Sequence, residues 1–336
     1  MIYIPYFLLL SFLGLIIITN SHNANINRVL TYIGIFIILP IGLIPLQSSA
    51  PISFLGLNLQ IINQDSIGYY FTIAFNLTLV CGILYCISFE NVNYKEIGLA
   101  FIFGGCAITV VSSNDLIVII MLIEILPIIT VVMIGINNSV KSKRTAIQLL
   151  VVNLFGALLF SIGADSYINI TGSTSIENLA PLNHYSSYLM LAGLLILIAT
   201  PPLSNWLVEQ LSVASAKSSI FLSIFTPKVA LVLLIKMFAG ETVLLYVGII
   251  LTFYGLIFSL FTPNLRKILA YAIMHQVGFV LIVLSIAPKM QHSGLNIFIF
   301  THILYELCFF IIAAICNNYF KHDDIHKMTG FFHYKP

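Results

Sequence analysis

The chain has 336 residues, of which 60% are hydrophobic and 8% are charged, and its mean hydropathy is +1.05. Soluble domains carry roughly 25% charged residues, so this composition excludes a soluble domain and predicts an all-α polytopic membrane protein. The formal net charge of +2 comes from basic residues scattered through short loops, and these form no patch for nucleic acid. We therefore expect the lipid bilayer, and not nucleic acid, among the partners.

Apolar runs near the ~20 residues that cross a bilayer recur along the whole chain. They lie at about 2–19, 28–47, 68–89, 96–113, 115–136, 145–168, 186–200, 218–238, 243–262, 267–287 and 294–317. The first run is long enough to span and is predicted to be a helix that is not cleaved as a signal. The short run at 186–200 ends at Pro201 and Pro202, so we join it to 218–238 as one discontinuous crossing over about 186–238. The result is about ten transmembrane helices.

The basic residues predict the orientation. The densest basic cluster, Lys141, Lys143 and Arg144, lies between the fifth and sixth spans, so the positive-inside rule places this loop in the cytoplasm. Counting crossings outward, the long loop 169–185 lies outside, and four more basic residues lie with the cluster: Arg28, Lys95, Lys236 and Lys289. The same count leaves three basic residues on the outer side: Arg266, Lys267 and Lys321.

One lysine lies in the middle of an apolar run. Lys228 follows Pro227 and has about ten apolar residues on either side. An ammonium group at bilayer depth costs about 3 kcal/mol on insertion scales, so such a lysine indicates an ion or proton path. The alternative is a lysine that snorkels to an interface. Proline opens the helical hydrogen-bond ladder, so Pro227, like Pro201 and Pro202, is predicted to interrupt a helix.

Glu124 lies centrally in the fifth span and, like Lys228, has no partner at helical spacing. Each would be an uncompensated buried charge unless the two side chains meet across helices. We therefore predict a Glu124–Lys228 pair whose separation releases or captures a proton. The alternatives are a static structural pair and a glutamate that is simply protonated.

Two histidines extend this set of intramembrane polar residues. His275 lies about two helical turns beyond Arg266 and Lys267, and is either a proton relay or a hydrogen-bonded packing residue. His302 and Glu306 stand at i and i+4, so they share one helix face. Two titratable groups stacked in a membrane helix require a polar cavity, which favours a functional interpretation.

The chain has no phosphate-binding loop, no GxGxxG after a strand, and neither an HExxH nor a GxSxG motif. We therefore expect no cofactor, no metal and no catalytic residues, and we do not expect an enzyme in its own right. The five cysteines lie in apolar spans without a CxxC pair, which is typical of buried small residues.

Five stretches in this order resemble the antiporter-like membrane subunits shared by Mrp-type multisubunit cation/proton antiporters and respiratory complex I. They are MLIEILPIITVVMIG; AIQLLVVNLFGALLFSIGADSYINITGSTSIENLA; PLSNWL followed by TPKVALVLLIKMF; NLRKILAYAIMHQVGFVL; and HILYELCFF with IHKMTGFFHYKP. The likeness covers roughly residues 95–336 and is strongest for the D subunit of the Mrp antiporters.

The resemblance implies a modulated Glu–Lys pair and a chain of buried Lys, His and acidic groups that carries protons near the midplane. It places Glu124, Lys228, Arg266, Lys267, His275 and His302 at the family's ionisable positions, and Glu306 where a lysine is common. It also implies sister subunits in a hetero-oligomer. The expected regions are an N-terminal three-helix region (1–94), a first helix repeat with the broken helix (95–263), and the start of a second repeat (264–336). Family members continue with about four more helices, so we expect a truncated gene, a piece of a split one or a short form.

From these features we expect a subunit of a sodium/proton antiporter, moving protons and monovalent cations across a bacterial inner membrane, with the mitochondrial inner membrane as the alternative location. Two other functions stay open. One is a proton-translocating subunit of NADH:quinone oxidoreductase. The other is a structural or assembly subunit that transports nothing.

Overall fold

The structure, a computed structural model, describes residues 6–20, 23–43, 52–54, 57–88, 92–286 and 294–328. Within these ranges the chain folds almost entirely into helices. They are α1 (Tyr6–Thr19), α2 (Ala24–Leu43), α3 (Ser66–Ile87), α4 (Tyr94–Ser112), α5 (Leu116–Gly135), α6 (Val140–Thr171), α7 (Tyr185–Leu197), α8 (Asn205–Val213), α9 (Ala216–Met237), α10 (Val243–Leu260), α11 (Leu265–Ile286) and α12 (Asn296–Phe320). A small antiparallel hairpin of β1 (Ile52–Phe54) and β2 (Leu57–Leu59) and a 3₁₀ turn (Ile325–Lys327) complete the described elements.

The prediction of an all-α polytopic membrane protein is confirmed. In the described ranges eight helices, α3 to α6 and α9 to α12, are long and apolar enough to cross a membrane, and α1, α2 and α7 contain shorter apolar helices. Polar side chains begin several of them by accepting a hydrogen bond from a first-turn backbone N–H. These N-caps are Asp65, Asn93, Asp115, Ser139 and Ser215.

Helix α9 lies at the centre of the bundle. It packs against α3, α4, α5, α7, α8, α11 and α12, and nearly all of its residues are buried. A helix that is apolar on every face is expected to be enclosed in this way. Lys228 lies near its middle with a side chain that is 0% exposed, so the snorkelling alternative does not hold.

The predicted discontinuity within 186–238 is confirmed, and it lies between α7 and α8. The start of α7 lies at one end of the bundle, where the Leu182 N–H donates to Glu241 (3.1 Å). The end of α8 lies at the other, where the Asn137 side-chain amide donates to the Val213 carbonyl (2.7 Å). α7 and α8 therefore make one interrupted crossing and α9 makes a second, which is one crossing more in this segment than the sequence predicted.

Proline and side-chain hydrogen bonds together form the interruption. Pro201 and Pro202 cannot donate a backbone hydrogen bond, so α7 cannot continue through them. At the end of α7 the carbonyl of Leu195 also accepts a hydrogen bond from the Thr200 hydroxyl (2.8 Å), and that of Ile196 accepts one from the Trp206 indole (3.3 Å). Irregular backbone at membrane depth is tolerated when its polar groups find such partners.

The additional crossing changes which end of the bundle each basic residue occupies. Glu209 of α8 pairs with both Lys141 and Lys267, so Lys267 lies with the basic cluster. The count of crossings from the sequence had placed Lys267 on the outer side, which is wrong. We call this the basic end, and the positive-inside rule predicts that it faces the cytoplasm. Lys236 lies at the opposite end, bonded to Asn114, so its predicted place beside the cluster is wrong. Lys289 lies outside the described residues.

Glycine sets the distance between α6 and α7. A Cβ atom on Gly193 would lie 2.5 Å from the Gly156 carbonyl oxygen and 2.6 Å from the Phe160 nitrogen. We expect Gly193→Ala to push the two helices apart and to lower stability by about 1–3 kcal/mol, the usual cost of overpacking. Gly135→Ala is the matched control because nothing lies within 4 Å of its added methyl group. Thermal unfolding in detergent measures both, and equal melting temperatures would contradict the close packing.

Candidate functional site

The candidate site is a buried ion pair between the central helix and α12. The Lys228 ammonium nitrogen lies 3.1 Å from Glu306 Oε2, and the two side chains are 0% and 4% exposed. The approach is poorly directed, since neither Lys228 Nζ nor either Glu306 oxygen makes a hydrogen bond with the residues that the structure describes. A buried pair with unused donor and acceptor capacity is energetically costly. Such a pair can accept, release or redirect a proton.

His302 extends the pair into a cluster of three titratable side chains. Its Nε2 lies 3.7 Å from Glu306 Oε2, one helical turn away on the same face, and its side chain is 1% exposed. Its Nδ1 has no hydrogen-bond partner among the described residues. The rings of Phe298 and Tyr305 flank the imidazole, with centroids 6.2 and 5.1 Å away. The predicted shared face of His302 and Glu306 is confirmed, and Lys228 is its cross-helix neighbour.

The predicted direct pairing of Glu124 with Lys228 is wrong in this structure. Glu124 Oε1 instead accepts a hydrogen bond from the Ser161 hydroxyl of α6 (2.9 Å). The reason is the rotation of α9, whose Thr226 and Ala230 face α5, α6 and α7. Lys228 is two residues from each, or about 200° around the helix, so its side chain points away from α5 and toward α12.

A small cavity lies on the face of α9 that is turned toward α5, α6 and α7, opposite Lys228. Its volume is about 20 Å³, and its lining includes Asn153, Thr226 and Pro127. Asn153 Oδ1 and Thr226 Oγ1 are buried there without a hydrogen-bond partner among the described residues. A cavity of this size has room for one water molecule, and its two polar oxygens lie beside the central helix at the depth of its proline.

His275 lies apart from this cluster. Its ring Nδ1 is 3.2 Å from the Thr252 carbonyl oxygen of α10, and its backbone packs against Gly255 of the same helix. Within the part of the chain that the structure describes, no hydrogen bond or ion pair joins it to Lys228 or Glu306. The structure therefore supports the packing interpretation of His275, and a relay role stays a prediction.

Arg266 and Lys267 lie at the basic end, where they tie the start of α11 to other elements. Arg266 donates to Asp323 Oδ2 through Nε (2.9 Å) and to the Ala214 carbonyl through Nη1 (2.6 Å). Ala214 stands between α8 and α9, so Arg266 caps the end of the broken crossing. Lys267 pairs with Glu209. Both residues hold the helix ends in place far from the buried pair.

The three prolines behave differently. Pro201 and Pro202 lie in the interruption as predicted, whereas Pro227 lies inside α9, which runs unbroken from Ala216 to Met237. The predicted helix break at Pro227 is therefore wrong. A proline removes one ladder hydrogen bond, and the packing of seven other helices around α9 keeps the helix continuous.

Sequence reasoning missed a second buried lysine site. The Lys236 ammonium is surrounded by four oxygens: the carbonyls of Val111 (2.9 Å) and Ser113 (3.2 Å), the side chain of Asn114 (2.9 Å) and the carboxylate of Asp65 (3.2 Å). All four of these partners lie more than a hundred residues away in sequence. A lysine eight residues beyond Lys228 was the available signal, but its partners could not be identified from the sequence.

A bundle with an interrupted crossing and buried titratable groups at the middle of its helices is a polytopic membrane protein with features that are common among transporters. Residues 113–336 match the model of the family described as NADH:quinone oxidoreductase/Mrp antiporter, transmembrane. The chain belongs to this family, and it is an antiporter-like membrane subunit of the Mrp or complex I type.

Two curated relatives represent the two branches of the family. The N 1 subunit of the NADH-quinone oxidoreductase of Koribacter versatilis is 20% identical over 305 residues, which cover 81% of this chain and 60% of that protein. The probable K⁺/H⁺ antiporter A/B subunit of Rhizobium meliloti is 24% identical over 302 residues, covering 84% and 30%. This chain therefore spans between about a third and three fifths of the length of these relatives.

A solved structure agrees with the fold. A chain of respiratory complex I from Thermus thermophilus superimposes with a TM-score of 0.82 at 17% sequence identity, and the match covers 97% of this chain and 73% of that one. At this identity the likeness concerns the fold. The predicted resemblance to antiporter-like subunits is confirmed, and the stronger likeness to an Mrp D subunit stays a prediction.

Proposed function

We propose that the protein is a membrane subunit of a multisubunit antiporter that exchanges protons for a monovalent cation across a bacterial inner membrane. Sodium is the first candidate for this cation. The observation that carries the proposal is the buried Lys228–Glu306 pair with His302 beside it. The family membership supports it, because relatives on both branches are named as subunits. Sister subunits in a hetero-oligomer are part of the proposal.

The charge balance of the site gives it a means of coupling. With Lys228 protonated and Glu306 ionised, the pair carries no net charge. A proton taken up by Glu306 or by His302 adds one positive charge to a site of low dielectric constant, which is unfavourable. Uptake of one positive charge therefore favours release of another along the path, which is the energetic requirement of an exchanger. Glu124 with Ser161 is a second carboxylate site on the other side of α9.

The test is exchange activity after loss of the lysine. We expect Lys228→Ala to abolish sodium-dependent and potassium-dependent proton exchange in everted vesicles that contain the whole complex, because no amine then remains to balance Glu306. A pH-sensitive dye measures the exchange, and blue native electrophoresis checks that the complex assembles. Comparing sodium with potassium identifies the cation.

Lys143→Ala is the control variant, because Lys143 is exposed at the basic end and its removal should leave exchange unchanged. If Lys228→Ala is assembled and exchanges protons at the wild-type rate, the proposal is wrong and a structural role without transport is the better account. A variant that lacks both charges, Lys228→Met with Glu306→Leu, separates loss of transport from loss of folding.

The second candidate is a proton-translocating subunit of an NADH:quinone oxidoreductase. The NADH-quinone oxidoreductase relative and the complex I fold match favour it. Purification of the tagged chain from its native membrane distinguishes the two functions. Copurifying iron–sulfur subunits with NADH oxidation would support complex I, whereas further antiporter subunits without NADH oxidation would support the antiporter.

A further inference from the structure

A cavity at the basic end is lined by a buried carboxyl group that the proposed site does not use. The cavity has a volume of about 530 Å³ and lies where the ends of α3 and α12 meet the starts of α4 and α9. Its lining includes Tyr85, Glu96, Ser215, Lys217 and Lys321. It lies about two to three helical turns from the Lys228–Glu306 pair, along the same two helices, α9 and α12.

Glu96 is the buried acid of this cavity. The residue is 5% exposed, and its Oε1 accepts a hydrogen bond from the Asn93 side-chain amide (3.3 Å). Its Oε2 makes no well-directed hydrogen bond within the described residues, although the Ser215 hydroxyl lies beside the carboxyl group. A buried carboxylate oxygen without a well-directed hydrogen bond is costly, and the cost falls when the group takes up a proton or meets water in the cavity. The position of Glu96 therefore favours a carboxyl group that exchanges protons with water in the cavity.

The rim of the cavity reaches the surface. Asn318 and Lys321 on the rim are exposed, whereas Glu96 and Ala314 are buried. The charged groups facing Glu96 from the other elements are Lys217 on α9 and Lys321 on α12. Two ammonium groups oppose the entry of a free metal cation, but a proton reaches a carboxyl through water. A metal cation also needs several oxygen ligands, whereas a proton needs a single carboxylate oxygen, so the lining favours a proton over sodium or potassium as the ligand.

Helix α12 connects this cavity to the candidate site. Ala314 in the lining and Glu306 in the ion pair belong to the same buried stripe of α12, about 12 Å apart along the helix axis. Phe310 lies on this stripe between them and is 0% exposed. Glu306 and the cavity that Glu96 lines therefore lie along one face of α12, with the Phe310 ring between them.

We infer that the basic-end cavity is the proton-loading site on the cytoplasmic side and that Glu96 is the group that takes up protons there before transfer toward Glu306. This inference rests on the proposed function. Tyr85 and Cys86 on α3 are the other titratable groups near Glu96. Loading at Glu96 and transfer past Phe310 are separate steps, so Glu96 can be tested without measuring transport.

The first test is the side from which Glu96 is accessible. Everted and right-side-out vesicles containing the assembled complex are treated with a water-soluble carbodiimide and glycine ethyl ester, and the Glu96 adduct is quantified by mass spectrometry. We expect labelling from the same side as an impermeant amine reagent labels Lys321, and loss of labelling from the other side. Glu306 is the buried control and stays unlabelled. Absence of the Glu96 adduct, or equal labelling from both sides, overturns the inference.

The second test is the pH dependence of exchange. Glu96→Gln keeps the size of the side chain and an oxygen that can accept from the Asn93 amide. We expect it to lower the exchange rate roughly a hundredfold, the low end for a positioned acid–base group. The dependence of the exchange rate on cytoplasmic pH should also become flatter. Glu209→Gln at the same end is the comparison variant and should keep the wild-type pH profile. A Glu96→Gln complex with the wild-type rate and profile overturns the inference. Failure of the Lys228→Ala test would refute transport and leave the labelling result standing.

Discussion

Replacing Glu306 by leucine is expected to destabilise the folded protein by about 3–5 kcal/mol, because it leaves the Lys228 charge buried without a partner. The buried charge can also be removed by deprotonation of Lys228. For a lysine of unperturbed pKa, deprotonation at pH 7 costs about 4–5 kcal/mol, so the loss of stability stays large. Replacing both residues, Lys228→Met with Glu306→Leu, removes both charges from the interior and should recover most of the loss. Thermal unfolding of the purified complex in detergent measures the three variants.

The two single variants should respond to pH in opposite directions. In Glu306→Leu a lone buried amine binds fewer protons than the same amine in the unfolded chain, so stability rises with pH. In Lys228→Met a lone buried carboxyl binds more protons than it does unfolded, so stability falls as pH rises. In each single variant the free energy of unfolding changes by at most about 1.4 kcal/mol per pH unit, because one group titrates. Slopes of the same sign, or a double variant less stable than both singles, would contradict the buried pair.

The position of Lys228 could be predicted from sequence, but its partner could not. A lysine with about ten apolar residues on either side is expected at depth unless it snorkels to an interface, and this expectation does not depend on the fold. The direction of its side chain is a different problem, because α9 is buried on almost every face and an apolar surface on all sides gives no period from which to orient the helix. Two carboxylates, Glu124 and Glu306, were available as partners, and the structure places Glu306 there.

The number of membrane crossings could also be predicted only in part from the sequence. The diproline correctly predicted the interruption, yet α8 has only nine residues and contains Asn205, Glu209 and Gln210. Such a segment lacks the ~20 apolar residues that identify a crossing, so the sequence predicts one discontinuous crossing over about 186–238 instead of two. In the fold it completes the crossing that α7 begins. That one short helix decides the side of every basic residue that follows it, including Lys236.

The two ends of α9 also differ in a way that only the fold reveals. At the basic end the chain before α9 is held by side chains, with Arg266 bonded to the Ala214 carbonyl. At the opposite end Lys236 of α9 itself binds the carbonyls that end α4. A cation near a helix C-terminus is favoured by the helix dipole. Lys228 therefore lies on a helix that is anchored by charged groups at both ends.

Replacing Lys236 by methionine is expected to lower stability by about 1–3 kcal/mol, because the Asp65 carboxylate and three further oxygens lose the ammonium group that satisfies them. The cost is smaller than for Glu306→Leu since the Asp65 side chain is 33% exposed and a neighbouring cavity of about 220 Å³ can supply water. Methylammonium added to the medium should raise the melting temperature of Lys236→Met, because a small cation with N–H donors can occupy the vacated position and binding stabilises the folded state.

Tetramethylammonium at the same concentration is the ionic-strength control, since it has the charge but no N–H donor. Lys321→Met is the matched variant at an exposed position and should melt as the wild type does in either salt. The double variant Lys236→Met with Asp65→Asn should lose the methylammonium effect, because the carboxylate that attracts the cation is gone. If methylammonium and tetramethylammonium act equally on Lys236→Met, the four oxygens do not form a cation site, and Lys236 contributes only through the packing of its aliphatic chain.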